Sequence, residues 1–124
     1  MNKKIITILT LIIICFSGCQ SSKIKLINYN QSSCLNNENI NEPQIISKTI
    51  QNNTLTITIE QASSCGLQSE GTIDIINQNT INLDYKYNPD ELADCLCNYK
   101  LTYKIKGINK SKNYKFQFEN NPIN

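Results

Sequence analysis

The strongest constraint on this chain is a period of two. Over residues 54–60 polar and apolar residues alternate without a break, with Leu55, Ile57 and Ile59 on one side and Thr54, Thr56, Thr58 and Glu60 on the other. Over residues 97–108 the alternation runs longer, setting Tyr99, Leu101, Tyr103 and Ile105 opposite Lys100, Thr102, Lys104 and Lys106. Successive side chains of a strand point to opposite faces, so each run forms a strand buried on one face only. A helix would scatter the same apolar residues around its circumference. Antiparallel sheets have this half-buried character, with one face on a core and one in water.

The remaining segments fit the same scheme. Residues 45–50 read as a short strand that turns at Asn52-Asn53, and residues 72–76 turn at Asn77-Gln78-Asn79 into residues 80–87. Ile81, Leu83, Tyr85 and Tyr87 there share one face, as do Tyr114, Phe116 and Phe118 in the last strand. The Ser63-Ser64-Cys65-Gly66 segment reads as a turn, and residues 88–94 as a capped turn or one short helix, with Asn88 as cap and Pro89 at the first position. The chain is thus expected to be all-β, a small antiparallel β-sandwich of six to seven strands. In rhythm it resembles immunoglobulin-like domains, without the core tryptophan or the antibody cysteine spacing.

The N-terminus is of another kind. Lys3 and Lys4 precede a run from Ile5 to Phe16 that is apolar except for Thr7 and Thr10, followed by small Ser17 and Gly18. This is the layout of an export signal. A run of about twelve residues, at ~1.5 Å each, is too short for a hydrocarbon core of ~30 Å. Phe16-Ser17-Gly18-Cys19 resembles the bacterial lipobox, departing from its usual leucine at Phe16. The resemblance implies that residues 1–18 are cleaved and that Cys19 carries a diacylglycerol thioether, so that the protein is anchored to a membrane of the cell envelope. Because Gln20 is not Asp, the sorting habit of such lipoproteins favours the outer membrane where one exists. The expected organisation is a signal over 1–18, lipidated Cys19 with a tether and a possible first strand over 19–30, the sandwich over 31–119, and a frayed tail over 120–124.

Once Cys15 leaves with the signal and Cys19 is lipidated, Cys34, Cys65, Cys95 and Cys97 remain. Four cysteines in an exported chain read as two disulfides with three connectivities. A bridge inside Cys95-Leu96-Cys97 is strained, which favours pairing Cys34 and Cys65 with that unit; a Cys34–Cys65 pair stays open. Zinc sites and thiol oxidoreductases normally use C-x-x-C, and the chain has none.

Composition narrows the function further. The mature part, 124 less 18 or 106 residues, is one domain. All twelve basic residues are lysines, and without Lys3 and Lys4 ten face ten acids. A balanced chain without arginine is a poor nucleic-acid binder. Histidine is absent, and with it the usual general base, the Ser-His and Cys-His schemes and the imidazole metal ligands. No catalytic, cofactor or metal site is assigned. Asp90, Glu91 and Asp94 form the densest acidic cluster and read as a solvated helix start rather than a calcium site. Tyr85, Tyr87, Tyr99 and Tyr103 offer a possible aromatic platform but sit on core faces, and Lys100, Lys104, Lys106 and Lys115 would line one outer face. The expected role is non-enzymatic: a lipid-anchored domain that binds another envelope protein, with a glycan- or small-ligand-binding module as the alternative.

Overall fold

The computed structural model describes residues 23–35 and 42–124. The expected signal, Cys19 and the first residues of the tether lie outside the described residues, as do residues 36–41. Among the described residues the chain forms eight strands: β1 (Lys25–Gln31), β2 (Gln44–Gln51), β3 (Thr54–Cys65), β4 (Ser69–Ile76), β5 (Thr80–Tyr87), β6 (Ala93–Lys106), β7 (Lys115–Phe118) and β8 (Asn121–Pro122). One 3-10 turn over Pro89–Glu91 separates β5 from β6, capped as expected by the Asn88 side chain, which accepts from the Asp90 N–H. The strands form two four-stranded sheets, β1-β6-β3-β2 and β4-β5-β7-β8, around one core.

The alternating runs do what their period demands. Leu55, Ile57 and Ile59 of β3, and Tyr99, Leu101, Tyr103 and Ile105 of β6, are buried, and Ile81, Leu83, Phe116 and Phe118 meet them from the second sheet. Tyr103 spans the two layers, since its hydroxyl donates to the Asp84 carbonyl oxygen of β5 at 3.0 Å. Asn52 and Asn53 both have positive φ (48° and 59°), the mirror-image turn whose twist suits a two-residue hairpin between β2 and β3.

Three expectations are corrected. The sandwich is not wholly antiparallel: β5 and β7 run parallel, from Thr80 opposite Lys115 to Leu83 opposite Phe118. The physical reason is that β6, between them in sequence, belongs to the other sheet, so the chain crosses the core twice before returning beside β5. Second, Ser63-Ser64-Cys65 is not a turn. It extends β3, paired with the first residues of β6, and the turn comes only at Gly66, whose φ is +80°. Third, the tail does not fray. Phe118 pairs with Asn121 and Gln117 with Pro122, Ile123 is buried, and the Asn124 carbonyl oxygen accepts from the Ile45 N–H at 3.3 Å. A single apolar residue among Asn and Pro carries no readable period, but its side chain closes the core.

Candidate functional site

The register gives the sandwich two distinct ends. At one, Lys25 and Thr54 both lie opposite Lys106, beside the Asn52-Asn53 hairpin, whose Asn53 carbonyl accepts from the N–H groups of Gly107 and Ile108. At the other end lie all four cysteines of the folded part. Cys34 bridges to Cys97 with Cα atoms 5.5 Å apart, and Cys65 bridges to Cys95 at 5.3 Å. Cys34 and Cys65 therefore both pair with the C-x-C unit, and the Cys34–Cys65 alternative is not realised.

The two bridges touch: the Cys65 and Cys97 sulfurs are 3.4 Å apart. Their geometry follows from the strands. Ser63 lies opposite Cys97 and Ser64 opposite Leu96, but Cys65 lies opposite Ala93, so β6 bulges by two residues, Asp94 and Cys95. The bulge turns Cys95 and Leu96 outward, with Leu96 55% exposed, while Cys97 is only 2% exposed. The bridges close loops of 63 and 30 residues, which in the chain-entropy account contributes ~4 kcal/mol each.

The 3-10 turn packs against this end. A side chain at Gly66 would put its Cβ 2.8 Å from the Glu91 carbonyl oxygen, so the two backbones are in contact. Beside the turn runs an open groove lined by Ser69, Glu70, Lys86, Tyr87, Asn88 and Glu91. The Asn88 side-chain amide donates to Glu91 Oε1 at 3.1 Å, fixing the groove's rim. Tyr87, assigned with Tyr85 to the core face, stands 46% exposed at the end of β5, beyond the reach of the core.

A polar network holds this side of the two sheets together. Ser69 Oγ donates to Gln31 Oε1 and therefore accepts from the Tyr29 hydroxyl, and Gln31 Nε2 donates to the Leu67 carbonyl oxygen. The Tyr29 ring meets Tyr103 edge-on, with centroids 5.0 Å apart, and lies directly over Gly71. Burial pushes the Tyr29 phenol up to about 12, and Tyr85 and Tyr103 also rise because burial disfavours the charged phenolate. Sequence reasoning missed Gln31, Ser69 and Gly71. An isolated glycine inside a strand was the available signal, since it marks a close approach by another group.

The other candidate residues do not converge. Of the tyrosines, Tyr99 and Tyr103 are buried, Tyr85 is half-buried with its hydroxyl accepting from Gln61, and only Tyr87 is open. Lys100, Lys104 and Lys106 lie on β6 but Lys115 on β7, in the opposite sheet, so the four lysines share no face. Asp90, Glu91 and Asp94 are all exposed, and among the described residues no group of three or more His, Cys, Asp or Glu is placed to hold a metal ion. No protein-family model, no curated protein and no solved structure matches this chain.

Proposed function

We propose that this protein is a lipid-anchored, non-enzymatic component of a bacterial cell envelope that presents the disulfide-braced end of its sandwich to a protein partner. The observation that carries the reading is directional. β1 starts at Lys25 beside the Asn52-Asn53 hairpin and runs toward the disulfides at the far end. Only five residues lie between Cys19 and Lys25, so the six steps span about 20 Å of extended chain at most. A lipid on Cys19 therefore holds the hairpin end at the membrane and points Tyr87, Leu96 and the groove away from it. Tyr87 and Leu96 are large apolar groups on a rigid, cross-linked scaffold, and anchors that lose little freedom on binding are the ones that carry interface energy.

The test is cross-linking and affinity purification of the tagged protein from intact cells, with Cys19→Ser as the mislocalised control. One stoichiometric protein, lost with Cys19→Ser and weakened by Tyr87→Ala or Leu96→Ala, is the expected result. Absence of any partner while the protein stays in the membrane fraction refutes it. A second reading draws on Tyr87 alone: an open tyrosine beside Asn88, Glu70 and Glu91 is a surface on which a sugar ring could stack and hydrogen-bond. Glycan-array binding abolished by Tyr87→Ala favours that reading over the first.

A further inference from the structure

The two disulfides are arranged with an inside and an outside. Cys34 and Cys95 are exposed, Cys65 is partly covered, and Cys97 is 2% exposed. Each bridge thus joins an outer sulfur to an inner one, and the two inner sulfurs, of Cys65 and Cys97, are the ones in contact at 3.4 Å. We propose that this pair of bridges is a site of thiol attack, in which an external thiol that opens either bridge at its outer sulfur causes the inner sulfurs to join.

The chemistry balances without an added oxidant. A thiolate attacks Cys34 Sγ, forms a mixed disulfide there, and expels Cys97 as a thiolate. Cys97 then attacks Cys65 Sγ, forming a Cys65–Cys97 bridge and expelling Cys95 as a thiolate. Attack at Cys95 runs the same relay in the other direction: Cys65 leaves, attacks Cys97 Sγ, and releases Cys34. Each step is a thiolate displacing a thiolate at sulfur, so two S–S bonds break and two form, one external thiol is bound, one cysteine thiol is released and no net oxidation occurs.

Three features drive the relay inward. A thiolate on Cys97 is held away from water, which disfavours the charge, whereas a thiolate on Cys95 or Cys34 is hydrated. The exchange therefore moves negative charge from a buried sulfur to an exposed one. The acceptor is already at van der Waals distance, so the sulfurs need close only from 3.4 Å to the bond length of ~2.05 Å. The bulge at Asp94 and Cys95 supplies the backbone slack. Unlike a C-x-x-C oxidoreductase, this site has its cysteines spaced as C-x-C with two distant partners, and its nucleophile is created only when a bridge opens. The ligand class is a small thiol or an accessible protein thiol, and the outcome is a covalent adduct on the outward-facing end of the molecule.

The test uses the full-length protein purified from cells. It is treated with limiting glutathione in the absence of oxygen, quenched with acid and N-ethylmaleimide, and its bridges are located by electron-transfer fragmentation. Expected are glutathione on one outer cysteine, maleimide on the other and a Cys65–Cys97 bridge, with maleimide on outer sulfurs exceeding that on inner ones on the order of tenfold or more. Maleimide on Cys97 with Cys65–Cys95 intact, or on Cys65 with Cys34–Cys97 intact, overturns the relay. So does failure of glutathione to add to either outer cysteine. A Cys65→Ser, Cys95→Ser variant removes the acceptor, and there the maleimide moves to Cys97. Because every readout is covalent chemistry within one chain, the result is independent of whether a partner binds this end.

Discussion

Replacing Gly71 with alanine tests how the two sheets are held along the β1–β4 side. The added Cβ would lie 2.2 Å from the nearest atom of the Tyr29 ring, whereas ordinary contacts begin near 3.4 Å, so the ring must withdraw by the difference, 1.2 Å. The ring is not free to do so. It is also packed edge-on against Tyr103, and its hydroxyl donates to Ser69 Oγ at 2.6 Å. Overpacking of this kind costs ~1 to 3 kcal/mol, and loss of the Ser69 hydrogen bond adds ~1 kcal/mol. The expected penalty for Gly71→Ala is therefore about 2 to 4 kcal/mol by urea unfolding, or roughly 10 °C or more in Tm for a domain of about 100 residues. Tyr29→Leu removes the clashing ring, so in the double variant most of the alanine penalty disappears. If instead the two substitutions add to within ~0.5 kcal/mol, the ring does not rest on Gly71 and the packing argument is wrong.

Three further outcomes follow from the core and the tail. Tyr29, Tyr85 and Tyr103 keep their protons in the folded state at a pH where the unfolded chain has lost them, so stability present below about pH 10 should fall as pH rises, for Tyr29 until about pH 12. Tyr103→Phe should cost ~1 kcal/mol at neutral pH through the lost bond to Asp84, and should flatten the alkaline decline by as much as ~1.4 kcal/mol per pH unit; an unchanged slope contradicts the burial of that phenol. Ile123→Ala should destabilise by ~2 kcal/mol in calorimetry, and a change within ~0.5 kcal/mol would mean that the tail is not part of the core.

The parts of the fold that were legible are those encoded by period. β3, β5 and β6 could be found because half-burial writes itself into alternate residues, and the asparagine turns because few residues accept positive φ. The pairing of Cys34 and Cys65 with the C-x-C unit could be argued from strain, but which cysteine met which depended on the bulge at Asp94 and Cys95, and nothing in Ala93-Asp94-Cys95-Leu96 marks a bulge. The parallel β5–β7 pairing was invisible because it depends on which sheet β6 joins, a choice made by the whole core. Glu119-Asn120 is a turn with φ values of 48° and 65° that glutamate conceals. Tyr87 obeys the alternation and still emerges into solvent, since periodicity tells which way a side chain points and not where the core ends.

The sheet order also sets a timetable for assembly. β1, the first of the described strands, has β6 as its sole neighbour among them, and Lys25 must wait for Lys106 to be synthesised before that ladder is complete. Through most of elongation β1 is an unclosed edge, and the Cys34 bridge likewise cannot form until Cys97 appears. Such distant pairings make for slow folding. The last eight residues, which bring Gln117 to Pro122 and bury Ile123, then seal the second sheet. Loss of those residues would therefore open the second sheet at β7 while β1-β6-β3-β2 keeps all four of its strands.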